Sequence, residues 1–273
     1  MYGPFIGDVV GSRFEFNNHR SKDFELVTDE CEFTDDTILT IAIMDWALNS
    51  EVRDSYSVAK YLQKWGRKYP SSYGGNFSKW LRSEDPRPYG SYGNGSAMRV
   101  APVAYIAKSK EELFTLVDLV TTVTHNAKEG VKGARAIALA IWMALKGATK
   151  EEIEEEEASY YYPQITKFDY EDLKKNYRFN ETCQETCPQA IYCFLISKNF
   201  EDCLRTSVSI GGDTDTLCAM SCAIAEAFYN DIPFGLAAKV LKKLPFEMRR
   251  IIEAFYGAYE DPDFSPILKF PNE

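Results

Sequence analysis

Apolar residues recur along this chain at helical rather than alternating spacing. Ile38, Leu39, Ile41, Ala42, Met44, Trp46 and Ala47 form a wide apolar surface over 38–48. Ala136 to Leu145 is apolar nearly all round, the pattern of a helix inside a bundle. Start signals stand where the periodic segments begin. Ser109-x-x-Glu112 precedes Leu113, Leu116, Val117 and Val120, and Thr149-x-x-Glu152 has the same capping-box form. Pro233 and Pro245 sit where first-turn prolines belong, each followed by apolar residues at helical spacing. The spacing predicts about ten or more helices. Phe24-Glu25-Leu26-Val27 alone predicts a short strand, and Asn94-Gly95 lacks the flanking alternation of a hairpin. The fold class expected is therefore all-α.

Two stretches break the pattern. Residues 70–95, rich in Ser, Gly, Tyr and Pro, are too long and irregular for a simple connection and form a candidate binding loop. Glu151 to Glu157 reads as a solvated helix face. No repeat or compositional break divides the chain, so a single domain over 1–273 is expected. At this size folding removes about 75% of the unfolded surface from water, and no disulfide or structural metal is required for stability.

Composition narrows the function. Lys and Arg number 31 against 41 Asp and Glu, a net charge of −10, which argues against non-specific nucleic-acid binding. A small anionic ligand needs a local pocket of its own. The seven cysteines, Cys31, Cys183, Cys187, Cys193, Cys203, Cys218 and Cys222, include no Cys-x-x-Cys pair and no histidine neighbour. That excludes the usual zinc and thioredoxin readings and leaves reduced, buried thiols as the expectation. Met1 to Asp8 lacks a basic segment and a long apolar core, and no uncharged apolar run approaches the roughly 20 residues of a membrane span. A cytoplasmic protein without a membrane partner is expected.

Three segments can carry chemistry. Thr34-Asp35-Asp36-Thr37 and Gly211-Gly212-Asp213-Thr214-Asp215-Thr216 each lead into a long apolar helix. Each reads first as a helix cap, with carboxylates interacting favourably with the free N–H groups. Taken together, two carboxylates beside a threonine at two helix mouths are hard oxygen donors suited to Mg2+ or Mn2+. Leu217 stands where an EF-hand loop needs an acidic or amide residue, which excludes that motif. The third segment, Gly93-Asn94-Gly95-Ser96-Ala97-Met98-Arg99, is no Walker loop. Its glycines before a helix start can still offer backbone N–H groups to phosphate, and Arg99 adds local positive charge. Of the two histidines, His125 sits between two helices and His19 lies in a polar stretch.

These segments, in this order, resemble the ADP-ribosylglycohydrolase family. The resemblance rests on Gly7-Asp8-Val9-Val10-Gly11 with Glu15, Thr34 to Thr37, Gly93 to Arg99, Thr124-His125 followed by Glu129, and Gly211 to Thr216. It implies an all-α single domain with two Mg2+ or Mn2+ ions at its centre. Thr34, Asp35, Asp36, Asp213, Asp215 and Thr216 would be their ligands. Glu15 would sit on a mobile segment over the site, Gly93, Asn94, Gly95 and Ser96 would take a diphosphate, and His125 would face the ADP-ribose. Glu15, Asp35 and Asp36 are then the candidate catalytic residues, with Glu15 and Asp36 unranked as general acid or base. The implied substrate is an ADP-ribosylated protein or an ADP-ribose-containing small molecule, and a cognate ADP-ribosyltransferase is the implied partner.

Other readings compete. An HD-type phosphohydrolase needs a His-Asp pair, but Arg20 and Asn126 follow the two histidines. A MazG-like pyrophosphatase matches only at Glu151 to Glu155 and lacks the expected Glu-x-x-Asp between 168 and 184. A non-catalytic ADP-ribose reader or toxin-occluding immunity protein on the same fold remains the alternative, because fold does not fix activity.

Overall fold

The computed structural model describes residues 1–259. Among them are the α-helices α1 (Gly3–Gly11), α2 (Asp35–Asn49), α3 (Ser55–Lys68), α4 (Gly75–Arg82), α5 (Ala101–Ile106), α6 (Lys110–Thr122), α7 (Lys128–Leu145), α8 (Lys150–Tyr160), α9 (Tyr170–Asn176), α10 (Cys183–Ile196), α11 (Phe200–Ile210), α12 (Thr214–Tyr229), α13 (Phe234–Leu241) and α14 (Phe246–Tyr259). Short 3-10 turns occur at Ser12–Phe14, Asn94–Ser96 and Pro163–Lys167. Among the described residues there is no strand, only an isolated bridge between Gly93 and Thr182. The expected domain extends over 260–273, which lie outside the described residues.

The centre of the fold is a helix pair. Gly3, Gly7 and Gly11 of α1 face Cys222, Cys218 and Thr214 of α12, so equal steps of four residues run in opposite directions along the two helices. A Cβ on Gly7 would lie 2.2 Å from the Cys218 carbonyl oxygen, closer than any real contact, so the backbones meet because no side chain separates them. Glu226 of α12 completes the pair by accepting from Tyr2 N and Gly3 N at 2.7 Å each, which satisfies free N–H groups at the start of α1. Around this pair pack α7, α10 and α11, and α2 packs against α1.

The local signals behave as their chemistry requires. Thr149 and Glu152 form a reciprocal capping box at α8. Ser109 accepts from Glu112 N at α6, but Glu112 reaches back to Lys108 N instead of Ser109 N. Pro233 and Pro245 stand one residue before α13 and α14, where their carbonyls accept the first helical N–H groups. All seven cysteines are buried and unpaired. No helix among the described residues is long and apolar enough to cross a membrane.

Three expectations are corrected. Phe24 to Val27 is irregular: Arg205 Nη1 takes the carbonyls of Lys22 and Phe24 and Arg13 takes that of Glu25, so guanidinium groups occupy acceptors that a strand partner would need. Residues 70–95 are not loop throughout, because Phe77, Trp80 and Leu81 stand at helical spacing and form the buried face of α4. The acidic face of α8 is not wholly solvated either, since Glu157 is completely buried.

Candidate active site

Close contact between α1 and α12 delivers Asp8 to the mouth of α2. Asp8 Oδ2 accepts from Thr34 N at 3.0 Å and Thr37 N at 3.1 Å, and Oδ1 accepts from Thr34 Oγ1 at 2.7 Å. The N-terminus of α2 is thus capped from a different helix. Thr34 Oγ1 adds a cap of its own by accepting from Asp36 N at 3.3 Å. Thr216 Oγ1, in the first turn of α12, donates to Asp36 Oδ2 at 3.1 Å. The two acidic clusters therefore converge.

The turn that aims the second cluster depends on its glycines. Gly211 and Gly212 have φ of 69° and 87°, a left-handed backbone that side chains disfavour. Arg20 fills the space beside Gly211, and Tyr177 fills that beside Gly212. Asp213 follows at the N-cap position yet makes no cap hydrogen bond. Its carboxylate instead receives the side-chain amide of Asn94. A capping role alone does not account for Asp213.

Two groups of carboxylates share this space. Oxygens of Asp8, Asp36 and Asp215 lie within 4.8 Å of one another, as do those of Glu15, Asp213 and Asp215. Asp215 belongs to both. Burial and the charge of Asp215 push Asp8 and Asp35 up to about 7 and Glu15 up to about 8. The same two causes hold Asp36 and Asp213 well above the usual carboxylate range. Asp36 Oδ1 and Asp215 Oδ1 are buried without a hydrogen-bond partner. Buried anionic oxygens without donors are costly, and a divalent cation is the counter-charge that this oxygen donor set fits.

Asp36, Asp213 and Asp215, three of the expected donors, fall in these two groups. Asp35 lies in the cleft but outside both groups, whereas Asp8 and Glu15 join them. Thr34 is already bonded to Asp8. Glu15 is held in place through Asn18, whose amide donates to its carbonyl at 3.1 Å.

Glu15, Asp35, Asp36, Asp213 and Asp215 floor a cleft of about 470 Å³ whose wall includes Gly93, Asn94, Gly95, Arg99 and His125. A Cβ on Gly95 would lie 3.3 Å from His125 Nε2, so the histidine stands directly against the glycine loop. Ser96 is turned away from the cleft, fully buried and donating to Gly130 O at 2.9 Å. Arg99 is fully buried behind the glycine loop. Glu129 pairs with Lys132 at 3.4 Å, and His19 packs on Phe14 and Phe24. Sequence reasoning missed Asp8 as a site residue, although a carboxylate inside the apolar run of 3–11 is itself a signal. It also missed Glu181 on the cleft wall, which no local pattern marks.

The profile of the ADP-ribosylglycohydrolase family matches residues 1–263. The chain belongs to that family. Among its relatives, ADP-ribosylhydrolase ARH3 of Mus musculus is 29% identical, covering 84% of this chain and 82% of its own. ADP-ribosylarginine hydrolase Tri1 of Pseudomonas putida is 27% identical over 84% of this chain and 69% of its own. The ADP-ribosyl-dinitrogen reductase glycohydrolase of Rhodospirillum rubrum is 26% identical over 92% of each chain. A solved structure titled ADP-ribosylglycohydrolase-related protein complex superposes with a TM-score of 0.71 over 93% of this chain and 96% of that one. Its sequence identity is 22%, so it establishes the shared fold.

Proposed function

We propose that this protein hydrolyses the glycosidic bond between ADP-ribose and an acceptor side chain of a modified protein, using two Mg2+ or Mn2+ ions. The observation that carries this reading is the pair of carboxylate groups sharing Asp215 at the floor of a cleft walled by the glycine loop and His125. Thr34, Asp35, Asp36, Asp213, Asp215 and Thr216 are the residues that would hold the cations, with Asp8 bracing Thr34 from behind and Glu15 beside them. Bound cations would supply Lewis acidity and a fixed positive field at the cleft floor.

The chain's own residues divide the remaining work. Gly93 to Gly95 and His125 seat the diphosphate, which directs the distal ribose toward the floor. Cleavage of the anomeric bond passes through an oxocarbenium-like transition state and requires a water to attack the ribose and a proton for the leaving group. Glu15 is half-buried on the cleft wall, whereas Asp36 is buried and bonded to Thr216, so Glu15 is the better placed to exchange a proton with water or the leaving group. An ADP-ribosyltransferase would supply the modified substrate.

The unpartnered carboxylate oxygens favour an enzyme over a reader, because a neutral ligand pocket would gain nothing from them. The test is turnover on proteins carrying ADP-ribose on arginine or on serine. Free ADP-ribose should be released from at least one of them, release should stop in chelator, and Mg2+ or Mn2+ should restore it. Binding of ADP-ribose without release from either would establish the reader instead.

A further inference from the structure

Arg99 is fully buried and forms no ion pair among the described residues. Its Nη2 donates to Val120 O at 3.1 Å and to Thr124 Oγ1 at 2.7 Å. A guanidinium only donates, so the Thr124 hydroxyl accepts from it and retains its own proton for one other acceptor. His125 Nδ1 lies 2.7 Å from that hydroxyl, whereas Thr121 O lies 3.4 Å away. The nearer partner takes the proton. A neutral imidazole accepting at Nδ1 carries its hydrogen on Nε2. Nε2 is the atom that faces the glycine loop, 3.3 Å from where a Cβ on Gly95 would stand and 3.7 Å from one on Gly93.

We infer that Arg99 and Thr124 are positioning residues that hold His125 as the Nε2–H tautomer, so that it donates to an anionic oxygen seated against Gly93 to Gly95. The identity of that oxygen as part of a diphosphate rests on the proposed function. An imidazolium would have to donate at Nδ1 to the Thr124 hydroxyl, leaving the hydroxyl proton only the longer 3.4 Å contact with Thr121 O. Burial and the Arg99 guanidinium also hold His125 well below its ordinary value, which keeps the ring neutral. Tyr89, the other ring against His125 at 6.0 Å between centroids, carries no charge to reverse this, because burial raises its hydroxyl to about 12. The arrangement gives the cleft a neutral donor of fixed direction, and so a phosphate contact that does not pair with the acidic floor.

The test is nitrogen-15 NMR of histidine-labelled protein. His19 and His125 are the chain's two histidines, so the spectrum of His19→Gln assigns the signals. Ligand-free wild type should show His125 protonated at Nε2 alone. Thr124→Val removes the hydroxyl at nearly constant shape; it should mix the two tautomers and weaken ADP-ribose binding about tenfold by calorimetry, and Thr124→Ser should restore both. An Nδ1–H tautomer in wild type overturns the inference, whatever the variants do. So does a folded Thr124→Val protein with unchanged tautomer and affinity. Wild type that fails to bind ADP-ribose would overturn the functional reading instead, and the ligand-free spectra would still decide the role of Thr124.

Discussion

The side-chain amide of Asn94 donates to Asp213 Oδ2 at 2.7 Å, which joins the glycine loop directly to the second acidic cluster. A neutral donor thus steadies Asp213, while the charges of Glu15 and Asp215 stand within 4.8 Å. The cluster is held in place by groups that do not neutralise it.

Asp213→Asn keeps an acceptor for Asn94 and removes one charge. Two carboxylates about 5 Å apart repel by roughly 3 kcal/mol at an effective dielectric near 20. In EDTA the variant should therefore be more stable than wild type, by about 1–3 kcal/mol. In saturating Mg2+ it should be less stable, because it has lost a ligand and part of the linked binding energy. Denaturant melts of both proteins in both conditions test this; a shift of the same sign in each would exclude a shared cation site.

Glu15 and Asp36 should separate kinetically. Glu15→Gln is expected to lower kcat by about 10²-fold or more, the scale of a lost acid or base, while ADP-ribose affinity stays within about threefold. Asp36→Asn should weaken Mg2+ binding and turnover together. Steady-state kinetics beside metal titration by calorimetry give the comparison, and wild-type rates in both variants would refute the placement of the chemistry.

Glu157 predicts a pH-dependent stability unrelated to the cleft. Both its carboxylate oxygens are buried without partners, and burial holds its pKa well above the usual range, with the charge of Glu156 adding to the effect. The folded chain then binds this proton more tightly than the unfolded one. The contribution to stability is full below the ordinary glutamate pKa of about 4.3 and is lost as pH rises through the raised value. Glu157→Met should match wild type near the acid end and exceed it increasingly at higher pH, by about 1–3 kcal/mol. A pH series of melts showing parallel curves would contradict this.

Two glycines should respond in opposite directions to one methyl group. Gly7→Ala would press a Cβ onto the Cys218 backbone and should cost about 1–3 kcal/mol or more. Gly235→Ala in α13 meets nothing within 4 Å and should stabilise by about 0.5–1 kcal/mol, because alanine loses less chain entropy in a helix. Equal effects in chemical denaturation would argue against the α1–α12 contact.

Much of the helical architecture is legible residue by residue. The apolar positions of α2 and α7, the Thr149–Glu152 box and the prolines before α13 and α14 act within a few residues of themselves. Their outcome is therefore written in the local chain. Phe77, Trp80 and Leu81 carried the same signal for α4, masked by the Ser, Gly and Pro around them. Phe24 to Val27 failed as a strand for a nonlocal reason, since Arg13 and Arg205 claim its carbonyls.

The sequence by itself determined the all-helical fold, the family resemblance and most of the residues that meet in the cleft. Only the tertiary structure decided that Asp8 reaches the mouth of α2 beside them, that Asp213 faces Asn94 instead of capping its own helix, that Ser96 points away, and that Arg99 and Glu157 are buried. The physical reason is range. Helix formation depends on neighbours three or four residues away, whereas the meeting of carboxylates depends on the backbone contact of Gly7 with Cys218, two points far apart in the chain.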